Sequence, residues 1–194
     1  MSKTSVAVVI LAGGEATRFP RKLERPLRGT PLLLTVVRNF QAAFPVYISI
    51  RDGLPPALEK AVHAPTIADR YPGIGPLGGL ATAAETIDAE KLFAVAGDAP
   101  AVNAEVLETL LSVWRKGDEA AVPEHEGRLE PLAALYDRTA LLRETSTAIA
   151  GGQYSLHTLL EHLAVRHVSM SAAFFLNINT AADLARIDGR RVES

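Results

Sequence analysis

Short apolar segments alternate along this chain with stretches in which apolar residues recur at helical spacing. Segments that are apolar at nearly every position are typical of strands buried on both faces of a parallel sheet. The predicted strands of the first half are Val6–Leu11, Val46–Ile50, Thr66–Ala68 and Leu92–Ala96. The predicted helices between them are Pro31–Ala43, Pro55–His63 and Leu77–Ile87, the first with Thr30 as N-cap and Pro31 at the first helical position.

The second half continues the alternation and adds a pair of strands joined by a polar turn. The paired strands are predicted at Ala120–Pro123 and Pro131–Tyr136, around the turn Glu124–Arg128. The other predicted elements are a helix capped by Asn103, the helices Thr139–Ala150 and Ser155–Leu163, the strand Val165–Ser169, and a last helix opened by Thr180 and Asp183. The pattern predicts one three-layer α/β domain over residues 1–194. Its sheet is expected to be mostly parallel, doubly wound and Rossmann-like, flanked by helices, with a small antiparallel excursion in the second half.

Composition narrows the functional classes. The chain has 194 residues, 48% of them hydrophobic, and no cysteine, so disulfides, thiolate nucleophiles and iron–sulfur clusters are excluded. A net charge of −2 without a basic run argues against nucleic acid as a partner. No uncharged stretch reaches the roughly 20 residues that a spanning helix needs, and no cleavage pattern follows the first apolar run. We therefore expect a cytoplasmic protein with no membrane partner.

The loop after the first strand is the first candidate site. Gly13 and Gly14 allow the backbone to turn sharply and present its N–H groups, while Arg18 and Lys22 bring positive charge. This combination predicts a cradle for a triphosphate, although it lacks the Walker pattern G-x-x-x-x-G-K-[ST]. The alternative is an ordinary turn between strand and helix, with the basic side chains in solvent.

Asp98 is the second candidate, at the end of the strand Leu92–Ala96. A carboxylate at the carboxyl end of a parallel strand lies where α/β sheets bind ligands, and it is a suitable oxygen ligand for Mg²⁺. The alternative is a turn or capping residue. If the first and fourth strands are neighbours, Arg18, Lys22 and Asp98 face one site at the switch point of the sheet.

A rival interpretation rests on the segment Gly73–Gly78, which matches G-x-G-x-x-G and precedes a helix. Asp98 follows Gly78 by 20 residues, as the ribose-binding acid of a dinucleotide fold does. Against an NAD site, Pro76 removes an N–H from the loop and Asp69–Pro72 separate the glycines from their strand. A dehydrogenase remains the less favoured alternative.

The third candidate is the pair Asn177 and Asn179, before the last helix. Alternating residues of an extended segment share a face, so both amides could bind phosphate, ribose or a metal-bound water. The alternative is that Asn179 and Thr180 merely form the turn and cap. The five histidines show no spacing suited to a metal, and we expect none to be a ligand.

Together these motifs resemble the molybdenum cofactor guanylyltransferase family, one of the Rossmann-like nucleotidyltransferases. The resemblance covers nearly the whole chain and follows the order of the family's motifs. GPLGG, PLAALY and NINT favour the molybdopterin branch over sugar-nucleotide and cytidylyl transferases. The matching segments are residues 11–14 with Arg18 and Lys22, 69–79, 97–100, 130–136 and 177–180.

The resemblance implies a single nucleotidyltransferase domain that moves GMP from GTP to the terminal phosphate of molybdopterin and releases pyrophosphate. It implies that the backbone of Leu11, Ala12 and Gly13 contacts the nucleotide, that Lys22 binds its phosphates, and that Asp69 binds the nucleoside. It further implies that Asp98 binds Mg²⁺ and that Asn177 and Asn179 lie on the pterin side. Proteins that deliver or receive the cofactor are expected partners.

One segment departs from the family pattern. The family usually has a methionine–glycine pair and an acid before the lysine, whereas this loop reads Arg18-Phe19-Pro20-Arg21-Lys22. Arg18 or Arg21 is therefore an alternative phosphate ligand to Lys22. A CTP-dependent transferase on the same pterin, a transferase acting on a phosphosugar or alcohol phosphate, and a non-catalytic nucleotide-binding module stay open.

Overall fold

The chain folds around an eight-stranded mixed sheet with helices on both faces. The computed structural model describes residues 4–13 and 21–189. The strands are β1 (Thr4–Leu11), β2 (Pro26–Leu27), β3 (Thr30–Pro31), β4 (Val46–Ile50), β5 (Thr66–Ala68), β6 (Ala89–Ala96), β7 (Ala120–His125), β8 (Arg128–Leu129), β9 (Ala133–Asp137) and β10 (Val165–Ser169). The helices are α1 (Leu32–Arg38), α2 (Pro56–Ala61), α3 (Pro76–Thr86), α4 (Ala104–Val113), α5 (Arg138–Ala150), α6 (Leu156–Glu161) and α7 (Ala181–Gly189).

The strand order is β10-β7-β9-β6-β1-β4-β5, with β8 paired to β7. Strand β1 pairs in parallel with β4 and β6, whereas β9 is antiparallel to both β6 and β7. The predicted fold class is thereby confirmed, including the antiparallel excursion. Because β4 and β6 flank β1 on opposite sides, the predicted switch point lies at the carboxyl end of β1.

Two apolar cores lie on the two faces of this sheet, and alternate residues of β1 reach each of them. Val6, Val8 and Ile10 pack in the core under α1, α2 and α4. Ala7 and Val9 pack in the core under α3, α5 and α6. Residues Val6 to Ile10 of β1 are therefore all apolar, because both faces of the strand are covered there.

The start of α1 differs from the prediction. Thr30 is not the N-cap, because Thr30–Pro31 form β3 and Pro31 occupies the cap position without a side-chain cap bond. Strands β2 and β3 form a separate hairpin whose turn residues, Arg28 and Gly29, have φ of 50° and 78°. This is the geometry of a tight hairpin turn, and an arginine gives little sequence signal for it. The helix also ends at Arg38 rather than near Ala43.

Caps in the second half agree with their predictions. The Asn103 side chain accepts a hydrogen bond from the backbone N–H of Val106 at the start of α4. At the start of α7, Thr180 N–H donates to Asp183 Oδ2 and Asp183 N–H donates to Thr180 Oγ1. Among the helices of the described ranges, none is long and apolar enough to cross a membrane.

Candidate functional site

Four parallel strands end at one edge of the sheet and fix the loops that follow them. In the paired register, Leu11 of β1 lies opposite Ser49 of β4 and Ala96 of β6. Beyond the strands, Ala12 N–H donates to Ser49 O at 2.8 Å and Gly97 N–H donates to Leu11 O at 3.0 Å. The main chain around Gly13 and Asp98 is thus held by its neighbours rather than by its own side chains.

A cavity of about 590 Å³ opens above this edge. It is large enough for a nucleotide-sized ligand, since ligand sites in proteins commonly have about 300–1,000 Å³. Six predicted site residues line it, namely Leu11, Ala12, Gly13, Lys22, Asp69 and Asp98. The predicted residues Gly14 and Arg18 lie outside the described residues, as does Phe19.

Lys22 and Asp98 meet in this cavity. The Lys22 Nζ donates a hydrogen bond to Asp98 Oδ2 and forms an ion pair with it. Their side chains are 17% and 19% exposed, so the pair is largely shielded from bulk solvent. Residues 76 positions apart in sequence are thereby joined at the switch point between β1 and β6.

Arg21, the neighbour of Lys22, is engaged elsewhere. Its guanidinium donates to both carboxylate oxygens of Glu24, at 2.7 and 2.6 Å. This hydrogen bonding lowers the pKa of Glu24 and raises that of Arg21. Both residues line the cavity, but Arg21 pairs with Glu24 of its own segment, whereas Lys22 pairs with Asp98, which follows β6.

Asp69 begins the loop between β5 and α3. Its N–H donates to Ile50 O at 2.8 Å, which extends the pairing of β5 with β4 by one residue. Its Oδ1 accepts from Tyr71 N–H at 2.8 Å and from the Thr82 hydroxyl at 3.2 Å. The carboxylate is half-buried and lines the cavity at the end opposite Asp98.

The glycines of residues 73–79 have two different uses. Gly73 and Gly75 have φ of 88° and 70° and shape the turn that leads into α3. Gly79 lies on the cavity wall, where a Cβ would lie 2.7 Å from Ser49 Oγ and 2.8 Å from Leu11 Cδ2. The segment that matched a dinucleotide motif therefore lines the same cavity as Lys22 and Asp98.

Ser49 is a cavity residue that the sequence analysis did not identify. It is 3% exposed and lines the cavity from β4, between Leu11 and Gly79. The signal available in the sequence was a hydroxyl within the otherwise apolar strand VYISI. Arg51 and the segment Gly53–Pro55 also line the cavity and were not predicted. They follow β4, and the sequence did not show which strands lie next to β4 in the sheet.

Asn177 and Asn179 flank the site without lining the cavity. Ile178 between them is buried, and its N–H donates to Asp98 O at 2.9 Å. The two amide residues are exposed on either side of it, as an extended segment requires. Their role on the pterin side stays a prediction.

Asp98 is the carboxylate expected to hold magnesium. Among the residues described there is no group of three or more His, Cys, Asp or Glu that could hold a metal alone. Magnesium usually keeps several waters and is bound through one or two carboxylates together with substrate phosphates. A single shielded carboxylate, Asp98, beside a lysine fits that mode of binding.

The fold and this cavity are typical of α/β proteins that bind their ligand in loops converging at the switch point of the sheet. The profile of the MobA-like NTP transferase domain family matches residues 8–168. The chain belongs to this family, and it is a nucleotidyltransferase.

Individual relatives agree with the family. A protein of Mycobacterium marinum named "Probable molybdenum cofactor guanylyltransferase" is 33% identical over 191 residues, 93% of this chain and 92% of its own length. A protein of Bacillus cereus with the same name is 30% identical over 185 residues, 90% of this chain and 91% of its own. The crystal structure of molybdopterin-guanine dinucleotide biosynthesis protein A from Archaeoglobus fulgidus has 29% identity and a TM-score of 0.81, covering 94% of this chain and 97% of its own.

Proposed function

We propose that this protein transfers GMP from GTP to the terminal phosphate of molybdopterin and releases pyrophosphate, with Mg²⁺ as cofactor. The observation that carries the proposal is the Lys22–Asp98 pair, placed at the β1–β6 switch point within the cavity that Asp69 also lines. The names of the relatives support guanylyl transfer to this acceptor. We place the reaction in the cytoplasm.

The layout of the edge suits an extended nucleotide. From Asp98 to Asp69 the order of strands is β6, β1, β4 and β5, which is three interstrand spacings or roughly 14 Å. That is about the length of a nucleoside triphosphate from base to terminal phosphate. The nucleoside would lie toward Ser49 and Asp69, and the phosphates toward Gly13, Lys22 and Asp98.

The chemistry needs no protein nucleophile, because the incoming phosphate of molybdopterin is already an anion. One of its oxygens forms a bond to the α-phosphorus of GTP, the bond from that phosphorus to the β-phosphate bridging oxygen breaks, and pyrophosphate leaves with the electron pair. Catalysis then consists of positioning and charge neutralisation. Asp98 would hold magnesium, which would supply positive charge to the triphosphate.

Basic residues would stabilise the leaving group. Lys22 would exchange its hydrogen bond to Asp98 for one to the β- and γ-phosphates, with Arg18 as a second cation. The amides of Gly13 and Gly14 would donate to the phosphate oxygens. On the other side of Asp98, Asn177 and Asn179 would contact the pterin substrate. Proteins that deliver or receive the cofactor would be partners of this chain.

The test is a transfer assay with GTP labelled at the α-phosphate, purified molybdopterin and Mg²⁺. We expect the label to move to the pterin and an equal amount of unlabelled pyrophosphate to appear, with neither product after chelation of the metal. CTP is the matched comparison. Transfer from CTP and not from GTP would assign the chain to a cytidylyl reaction, and absence of transfer from both would contradict the proposal.

A further inference from the structure

Thr82 is a buried polar residue of α3 that carries no role in the proposed mechanism. It is 0% exposed and lies six residues into the helix, on the face that packs against the loop after β5. Its hydroxyl contacts three groups. It accepts from Arg70 N–H at 3.0 Å, and it lies 2.9 Å from Gly78 O and 3.2 Å from Asp69 Oδ1.

These contacts decide which oxygen of Asp69 faces the protein. Oδ1 lies against the Thr82 hydroxyl and also accepts from Tyr71 N–H at 2.8 Å. Among the described residues no donor reaches Oδ2 of this carboxylate, and Asp69 lines the cavity. The oxygen left for a ligand is therefore Oδ2, and the rotamer that presents it is fixed through Oδ1.

Other contacts hold the same loop against α3. A Cβ at Gly78 would lie 2.5 Å from Tyr71 O, so the helix and the loop touch through their main chains. Glu85, one turn beyond Thr82, accepts from Tyr71 Oη at 2.5 Å and from Arg70 Nη1 at 2.9 Å. The hydrogen bond to Glu85 raises the pKa of the Tyr71 hydroxyl, which stays protonated and continues to donate.

We propose that Thr82 is a positioning residue for the nucleotide: it fixes the Asp69 carboxylate so that a single oxygen accepts from the nucleoside of the bound triphosphate. The inference rests on the proposed function, since it takes the ligand of Asp69 to be the nucleoside. Oδ1 already accepts from Tyr71 N–H and faces the Thr82 hydroxyl, so Oδ2 is the oxygen that can accept from a ligand. Its alignment then depends on the groups that hold the first oxygen.

The experiment compares Thr82→Val and Thr82→Ser with the wild type. Valine keeps the shape and removes the hydroxyl, whereas serine keeps the hydroxyl. The matched control is Thr145→Val, because Thr145 is also 0% exposed, lies within a helix and bonds to the carbonyl four residues earlier, Leu141 O, but on α5. The readouts are the Kd for GTP by calorimetry, the KM for molybdopterin and kcat at saturating GTP.

We expect Thr82→Val to raise the Kd for GTP about tenfold relative to Thr145→Val, with the KM for molybdopterin unchanged. Thr82→Ser is expected to restore the Kd to within about threefold of the wild type. A purely structural role would lower the melting temperature of both valine variants and leave the Kd of the folded fraction unchanged. If Thr82→Val does not fold, Thr82→Ala and Thr82→Ser, which differ by the hydroxyl alone, replace it.

The outcomes separate this inference from the function on which it rests. Equal Kd values for the two valine variants, with wild-type binding intact, would overturn the role of Thr82 and leave the function standing. An equal loss of GTP affinity in Thr82→Ala and Thr82→Ser would also overturn the role of Thr82 and leave the function standing. A wild-type protein that binds no nucleoside triphosphate would instead contradict the proposed function.

Discussion

The two halves of the sheet contribute to the site in different ways. On the parallel side, β1, β4 and β5 end at the cavity, and the loops that follow them carry Gly13, Arg51 and Asp69. On the other side β9 is antiparallel to β6, so this strand begins at the same edge. Among the described residues that line the cavity, Leu132, just before β9, is the only one that follows Asp98 in sequence.

The direction of the strands explains why the polar ligand-binding groups cluster on the parallel side. Parallel strands end together, so their loops converge and can be held by neighbouring main chains. On the antiparallel side, the segment around β9 is fixed by hydrogen bonds to its own residues and to β6. Tyr136 Oη donates to Pro131 O at 2.8 Å, His125 Nε2 lies 2.8 Å from Glu130 Oε1, and Ala96 N–H donates to Leu132 O at 3.2 Å. We therefore expect variants on the parallel side to affect the nucleotide, and variants on the antiparallel side to affect the acceptor.

Asp98 lies on the boundary of the two halves, and its substitution has the largest expected effect. Asp98→Asn keeps the size of the side chain and removes the negative charge that would hold Mg²⁺, so we expect kcat to fall about 10²- to 10³-fold, the range seen when one element of transition-state charge neutralisation is lost. The measurement is turnover at saturating GTP and acceptor. Asp88→Asn, at an exposed position before β6, is the control. Undiminished turnover in Asp98→Asn would remove Asp98 from the mechanism.

Gly79 tests the parallel side. In Gly79→Ala the new Cβ would meet Ser49 Oγ at 2.7 Å and Leu11 Cδ2 at 2.8 Å, so the cavity wall must move. Both atoms are the ends of side chains that can move, and alanine is a better helix former than glycine, so we expect the free energy of unfolding to change by less than about 1 kcal/mol. The displaced Ser49 and Leu11 side chains line the cavity, so we expect GTP affinity to fall about tenfold. Titration calorimetry and denaturant unfolding measure these. Gly151→Ala, where a Cβ would approach Thr147 O at an ordinary 3.4 Å, should change neither.

Asn177 and Asn179 test the acceptor side. Both are exposed and outside the cavity lining, so replacing both by alanine should leave the fold and the Kd for GTP unchanged. If the amides bind the pterin substrate, its KM should rise about tenfold, as expected for the loss of one or two hydrogen bonds. A rise in the Kd for GTP with an unchanged acceptor KM would reverse the assignment of the two halves.

Tyr136 gives the smallest expected effect and a dependence on pH. Burial raises the pKa of its hydroxyl above the ordinary value, so the folded protein keeps the proton that the unfolded chain loses above about pH 10. Stability should therefore fall as pH rises through that value. Tyr136→Phe should cost about 1 kcal/mol at neutral pH and flatten this alkaline decline. Denaturant unfolding at neutral pH and above pH ~10 measures the free energy of unfolding of both proteins. An equally steep alkaline loss of stability in the two would contradict this role of the Tyr136 hydroxyl.

Much of the architecture could be predicted because its periodicity is local. The doubly covered strands β1 and β4 and the cap at Asn103 follow from residue order alone. The hairpin around Arg28 and Gly29 could not be predicted, since it requires an arginine at positive φ. Ser49 and Thr82 could not be predicted either, because their positions in the site depend on contacts with other elements. Ser49 lies against Gly79 of α3, and Thr82 lies against Asp69 of the loop after β5.

The Lys22–Asp98 contact could be predicted in part. Each residue stood out as a charged group at the end of a predicted strand or loop. Their meeting depended on β1 and β6 being adjacent, which the pattern of strands allowed but did not require. The insertion of β9 between β6 and β7 was likewise not specified by the predicted strand pair, because a hairpin can join a sheet in more than one order.

The most direct test of this division is hydrogen–deuterium exchange of the wild-type protein with and without GTP and Mg²⁺. We expect slower exchange in the loops after β1, β4 and β5, over residues 11–13, 49–55 and 69–79, with little change over residues 172–180. Later addition of molybdopterin should then slow exchange in 172–180. Protection by GTP confined to residues 126–137 and 172–180 would contradict the placement of the nucleotide on the parallel side.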